Sequence, residues 1–275
     1  MNINILYSTH PQDAKKLDTQ QLRDRFLVNN LMQKNELNIT YTTYDRFILG
    51  SAVPGSDDIY LEAFDELKAP YFLYNRELGI VNIGSKGMVS IDGEIIELDY
   101  KEALYVGRGI REVIFLKSEG AAYYFNSTIA HKEYPVKKIG KEDAIVINLG
   151  EDKYANKRVL NKLIVNDILD TCQLQMGMTE IIESNVWNTM PAHTHLRRME
   201  AYFYFDLNEG QTISHFMGEP SQTRHLFLEN HHAVISPPWS IHSGSGTSNY
   251  AFIWGMAGEN QDYSDMDILN FNGLR

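Results

Sequence analysis

From Leu37 onward the chain is dominated by short runs in which apolar and polar residues alternate. NITYTTYDRFIL, APYFLYN, GIVNIG, GMVSIDGEIIEL, ALYVGRG, EVIFL and AAYYFNS succeed one another in the first half. TCQLQMGMTEII, AYFYFDL, TISHFM, RHLFL, AVISPP and YAFIWGMAG do so in the second. A period of two sends successive side chains to opposite faces, which predicts strands with one face in a core. Asp92-Gly93, between MVSI and EIIEL, predicts a two-residue hairpin, because a type I′ turn needs positive φ at both central positions. A helical period is confined to the start. In KKLDTQQLRDRFLVNN, Asp18 or Thr19 can cap a helix that aligns Leu22, Phe26 and Leu27 on one face. The pattern is that of an all-β chain with a few short helices.

Many short strands with turn residues between them predict a barrel or sandwich. The central connection PVKKIGKEDAIVINLGEDKYANKRVLNKLIVND is charged and carries no low-complexity linker. The halves share a local order, a hairpin followed by KEALYVGRG in one and HHAVISPPWSIH in the other, although their identity is too low to establish a repeat. Two β-barrels in tandem are expected, residues 1–150 forming an N-terminal arm and first barrel and residues 151–275 the second.

Composition narrows the partners. The chain has 275 residues, 43% hydrophobic and 22% charged, and a net charge of −11. Such a balance fits a globular protein without the broad basic face that nucleic acid or an anionic membrane requires. A small anion, which needs only a local Arg or Lys cluster, is still compatible. No apolar run approaches the roughly 18 residues of a membrane span, and MNINILYSTHPQD lacks the order of a signal peptide. The single cysteine, Cys172, cannot form an internal disulfide and reads as a buried small hydrophobe. A cytoplasmic protein is expected.

The chemistry is concentrated in PAHTHLRRMEAYFYF. His193 and His195, one residue apart, project from the same face of a strand and can share one ion. Glu200 lies an odd number of residues beyond His195, so a bend through Leu196–Met199 is needed to return its carboxylate. His242, in PPWSIHSG after the turn-forming Pro237 and Pro238, can supply a fourth ligand. Three imidazoles and one carboxylate suit a divalent first-row metal with positions left for water or substrate. His10, His131, His215, His225, His231 and His232 lack such spacing and read as structural, with His225 or His232 the two that could face the same cavity.

HxH, then Glu, then a distant His on a Pro-containing turn resembles the two motifs of the cupin superfamily of small β-barrels, with Trp187 and Trp239 where those motifs usually carry glycine. STHPQDAKKLDTQQLRDRFLV, IDGEIIELDYKEALYVGRG, QMGMTEIIESNVWNTMPAHTHLRRMEAYFYFDL, ISPPWSIHSGSGTSNYAFIWGMAGEN and the tail DYSDMDILN together resemble the 5-keto-4-deoxyuronate isomerase family over nearly the whole chain. The resemblance implies tandem double-stranded β-helix (cupin) barrels and one zinc ion per subunit on His193, His195, Glu200 and His242. It also implies a homo-oligomer, often a hexamer. The implied reaction converts 5-dehydro-4-deoxy-D-glucuronate, a small anionic keto-uronate derived from pectin or related polymers, to 3-deoxy-D-glycero-2,5-hexodiulosonate. The first barrel, with GRGIREV where the second has its histidine turn and no HxH, is expected to be metal-free.

An aldose–ketose change removes a proton beside a carbonyl and returns it to the neighbouring carbon, so an acid/base group is required. Tyr202, Tyr250 and His225 are the leading candidates, with Tyr204 and Glu180 beside them, because their segments lie near the motif. A carboxylate substrate calls for a cationic fork. Arg198 and Arg158 are favoured for it, followed by Arg197 and Lys162. Alternatives are a 5-deoxyglucuronate isomerase of inositol breakdown, an iron-dependent dioxygenase, or a non-catalytic sugar-binding cupin.

Overall fold

In the computed structural model, which describes residues 1–259 and 263–275, the alternating runs form antiparallel strands gathered into two compact units. One unit comprises Met1–Ile5, Asn30–Ala144 and Leu163–Gln175. Its seven-stranded sheet runs in the order Asn2–Leu6, Leu37–Thr42, Ile48–Ala52, Tyr123–Ile129, Arg76–Asn82, Ala103–Val106, Lys137–Ile139. Its four-stranded sheet is Ile59–Tyr60, Val113–Phe115, Gly87–Ile91, Glu94–Leu98. The Asp92-Gly93 hairpin is present, with φ of 46° and 88° and Ile91 opposite Glu94. Inward positions such as Leu78, Ile80, Val89, Leu104, Phe115 and Phe125 merge into one apolar core.

The other unit comprises Leu6–Asn29, Ile145–Lys162 and Met176–Arg275. Its large sheet is ordered Ile145–Leu149, Arg158–Ile164, Gln175–Ile181, Ala251–Gly258, Arg198–Phe205, Ala233–Ser236, Leu27–Val28. Its small sheet is Trp187–Asn188, Ser243–Gly246, Ile213–Glu219, Gln222–Leu228. The five central strands of both large sheets take the order first, second, fifth, third, fourth along the chain, and both small sheets the order first, fourth, second, third. The halves are therefore a structural repeat, carried by topology where residue identity has faded.

The partition differs from a single cut at residue 150 in two places. Leu6–Asn29 belongs to the second unit, for which the physical reasons are plain. The Asp18 capping box with Gln21 starts the helix Thr19–Phe26, whose Phe26 packs edge-on against Trp239. Leu27 and Val28 then pair with Val234 and Ala233, and the Arg224 guanidinium donates to the carbonyls of Ala14 and Leu17. Conversely Leu163–Gln175 belongs to the first unit. There the buried Glu77 carboxylate accepts from the backbone N–H groups of Cys172, Gln173 and Leu174 and from the Tyr105 hydroxyl. Cys172 is buried and unpaired, and burial raises its thiol pKa. Among the described residues no helix is long and apolar enough to cross a membrane.

Candidate metal centre

His193–Thr194 is a two-residue strand that pairs with Asp267–Ile268 of the C-terminal tail, His193 opposite Ile268. The chain turns at Leu196 and Arg197, closed by the Arg198 N–H donating to the His195 carbonyl, and the strand Arg198–Phe205 begins. The expected bend is thus real and two residues long. It resets the alternation, so that Arg198, Glu200 and Tyr202 line one cavity with His193 and His195. His242 follows the Pro237-Pro238 turn, in which the Ser240 N–H donates to the Pro237 carbonyl and the Ile241 N–H to the Gly218 carbonyl. The Ser240 hydroxyl accepts from the Gly218 N–H at 2.9 Å.

These segments bring one donor atom each from His193, His195, Glu200 and His242 to within 4.8 Å of one another. Glu200 Oε2 lies 3.1 Å from His195 Nε2 and 2.8 Å from His242 Nε2, and His242 Nε2 lies 2.9 Å from His193 Nε2. His195, Glu200 and His242 are buried. The His195 Nδ1 sits 3.0 Å from the Arg198 carbonyl oxygen. A carbonyl only accepts, so Nδ1 carries the proton and the Nε2 lone pair faces the carboxylate. Burial, reinforced by His242, lowers the His193 pKa to about 2, which keeps that imidazole in its ligating, neutral form. Burial opposes ionisation of Glu200, but His242 and His195 outweigh it and hold the carboxyl below the usual carboxylate range. Converging imidazole nitrogens around one anionic oxygen in a buried site fit a divalent cation.

The donors open on a cavity of 340 Å³, within the range of small-ligand sites. Its walls are mainly apolar, from Ile147, Leu149, Leu160, Phe252, Trp254 and Met256, with Arg158, Arg198, Thr179, Thr189, Tyr202 and Tyr263 as the polar members. Trp254 is buried, and its indole N–H has no hydrogen-bond partner among the described residues.

Several expected site residues lie on this wall and others do not. Tyr202 does, its hydroxyl 3.1 Å from the Thr189 hydroxyl and its ring edge-on to His242. Tyr250 is not a lining residue: its hydroxyl donates to the Val186 carbonyl and accepts from Asn188. Tyr204 is likewise held in the interior, hydrogen-bonded at 2.7 Å to Nδ1 of the buried His215. Burial raises all three phenol pKa values. His225 lies on the exposed face of the edge strand Gln222–Leu228, opposite Phe216, because the alternation sends its neighbours Arg224 and Leu226 the other way. His232 is outside the cavity, its Nδ1 accepting from the Glu229 N–H. Glu180, next to the lining Thr179 and so on the opposite face, accepts from Asn161.

Among the cations, Arg198 and Arg158 line the cavity and Arg197 and Lys162 do not. Arg197 turns outward to a bidentate pair with Asp265, reaching Asp267 as well. Lys162 sits 4.6 Å over the Tyr263 ring. Arg198 is buried and donates to the carbonyls of Tyr263 and Asp265. Tyr263 and Ile268 of the tail were not expected at the site. Ile268 stands in a two-residue strand and Tyr263 in a turn ahead of it, and neither carries a period by which the sequence could place it.

A sequence profile described as the KduI/IolB family matches residues 26–270. The chain belongs to the KduI/IolB family. Among curated relatives of this KduI/IolB chain, a protein of Formosa agariphila named 4-deoxy-L-threo-5-hexosulose-uronate ketol-isomerase is 55% identical, covering 98% of this chain and 97% of the relative. One of the same name from Bacteroides fragilis is 51% identical, covering 100% and 99%. Among solved structures, an IolB-like protein of Salmonella typhimurium superposes with a TM-score of 0.70 at 12% identity, covering 89% of this chain and 96% of that one. An oxalate decarboxylase superposes with a TM-score of 0.59 at 9% identity, covering 86% and 77%. At such identities these structures establish the fold alone, the β-rich cupin fold.

Proposed function

We propose that this KduI/IolB protein is a metal-dependent ketol-isomerase that interconverts 5-dehydro-4-deoxy-D-glucuronate and 3-deoxy-D-glycero-2,5-hexodiulosonate. The observation that carries this is the convergence of His193, His195, Glu200 and His242 on the wall of one cavity. Relatives of that name, 51–55% identical from end to end, supply the substrate class. The four residues are assigned as ligands of one zinc ion. A divalent ion there supplies Lewis-acid stabilisation of the negative charge that develops on oxygen when a proton leaves the adjacent carbon.

The protein's own groups do the rest. Glu200 brings the fixed negative charge, and the hydrogen bond from His195 Nδ1 to the Arg198 carbonyl aims the imidazole. Tyr202, the one leading acid/base candidate on the cavity wall, presents a hydroxyl that can pass a proton, with Thr189 as its hydrogen-bond partner. The apolar wall of Leu149, Leu160, Phe252 and Met256 gives the reacting carbons a setting of low polarity, in which charge interactions are stronger than in water. The first unit is assigned no metal, since inward positions such as Leu78 and Ile80 offer no donors. A cytoplasmic homo-hexamer acting on uronate released from pectin or related polymers completes the proposal.

Metal analysis of the purified protein, combined with proton NMR of the 4-deoxy-5-keto-uronate, tests the activity. Conversion by the metal-loaded protein is expected. Turnover of 5-deoxyglucuronate alone would instead select the isomerase of inositol breakdown. Ligand binding without conversion would leave a sugar-binding cupin.

A further inference from the structure

Granted the isomerase activity proposed above, we propose that Arg158 is the anchor for the substrate carboxylate and thereby fixes which way round the uronate lies. The carboxylate rests at the Arg158 end of the cavity and the reacting carbons at the His193–Glu200 end.

The substrate's own chemistry requires two separate stations. In this six-carbon chain the aldehyde and its neighbouring hydroxyl carbon, which exchange the proton, lie at the end opposite to the carboxylate. A carboxylate bound among the four donor residues would occupy the place that the reacting oxygens need. The anion must therefore be held elsewhere on the wall.

Four cations compete for that role, and the structure separates them. Arg197 is committed to Asp265 and Asp267. Lys162 covers the Tyr263 ring and does not line the cavity. Arg198 lines it, but its Nη2 donates to two carbonyls that hold the C-terminal tail. Arg158 lines it too, and its one hydrogen bond among the described residues runs from Nη1 to the nearby Asn156 carbonyl at 2.8 Å. The other N–H groups of its fork are left for a ligand, and a guanidinium suits a carboxylate bidentately.

Position agrees with charge. Arg158 faces Leu149 across the strand pair, with Ile147 and Leu160 beside it on the wall, an apolar setting that strengthens an ion pair. Its strand lies three positions from that of Glu200 in the sheet order, roughly 14 Å along the curved sheet at ~4.8 Å per strand. The long Arg158 side chain, projecting into the cavity, shortens that separation toward the length of a six-carbon chain.

The test is steady-state kinetics of zinc-loaded wild type, Arg158→Met and Arg158→Lys on the keto-uronate and on its methyl ester, whose carboxyl is uncharged. Arg158→Met should raise KM about 10- to 100-fold with kcat far less affected, and Arg158→Lys should recover part of the loss. Wild type should disfavour the ester by a similar factor, and Arg158→Met should no longer discriminate. Zinc content and the unfolding midpoint should match wild type. Unchanged KM and ester discrimination in Arg158→Met would overturn the anchor while wild-type turnover upholds the isomerase. Absence of ester discrimination in wild type would overturn it even if no variant folds. No turnover of the uronate by wild type would overturn the isomerase activity itself.

Discussion

The His195 Nδ1 and the Arg198 main-chain carbonyl oxygen are 3.0 Å apart, and this contact across the Leu196–Arg197 turn fixes the tautomer that turns Nε2 toward Glu200. The same turn that brings Glu200 back to the cavity thus also orients the imidazole beside it. His195→Gln should abolish stoichiometric metal binding and lower kcat/KM by more than about a hundredfold. Metal content by mass spectrometry and NMR-based turnover measure this. If the ion served only to organise the fold, thermal stability would fall as steeply as activity. Against metal-loaded wild type, a loss of stability in the variant much smaller than its loss of activity is expected instead.

How far the sequence discloses this centre depends on the range over which each residue acts. His193, His195, Glu200 and His242 are legible because a strand period and a proline turn are local signals, and the odd spacing of Glu200 itself demands the bend. The tail is not legible: Ile268 reaches His193 through a two-residue strand that no period announces. Nor does local pattern tell that Leu27 and Val28 pair with Val234 and Ala233, which moves the N-terminal helix to the second unit. Alternation does say that His225 and Leu226 face opposite ways, but not which side the cavity is on.

That last distinction can be tested directly. His225 lies on an exposed face, outside the cavity lining, so His225→Ala should keep kcat/KM within about twofold of wild type, surface changes being small in effect. Tyr202→Phe, which removes the hydroxyl beside Thr189, should lower kcat by roughly 10²- to 10⁴-fold if the group carries the proton. The reverse ranking would move the acid/base role out of the cavity wall.

The tail should act on the metal through His193. Arg197 pairs with Asp265, just ahead of the strand Asp267–Ile268 that flanks His193. Because the pair lies at the surface, where solvent screens it, Asp265→Asn should change stability little. Metal affinity, measured by chelator competition, should fall more noticeably, by about 10-fold or more, as for outer partners that orient ligands. Unchanged affinity would show that the tail does not position His193.

In the first unit, Glu77 is a buried carboxylate with three backbone N–H donors and the Tyr105 hydroxyl around it. Glu77→Ala strands those donors at once, and each unsatisfied buried group costs about 1–3 kcal/mol. A loss of at least about 3 kcal/mol in chemical denaturation is expected. A loss below about 1 kcal/mol would mean that water or backbone rearrangement replaces the carboxylate.

His215 should make stability fall on acidification. It is fully buried, with Nδ1 against the Tyr204 hydroxyl, Tyr202 edge-on to its ring, and His242 and Glu200 as the titratable groups that act on it. Burial, then His242, lowers its pKa to about 3, against about 6.5 in the unfolded chain. Between those values the unfolded state binds the extra proton, so stability is retained above about pH 6.5 and lost as pH falls toward 3, by up to about 1.4 kcal/mol per pH unit. In urea titrations of the metal-free protein, wild type should lose more stability between pH 7.5 and 5.5 than His215→Gln does. That difference isolates His215, because the ligand histidines are the same in both proteins. Equal losses in the two proteins would mean that acid sensitivity resides elsewhere.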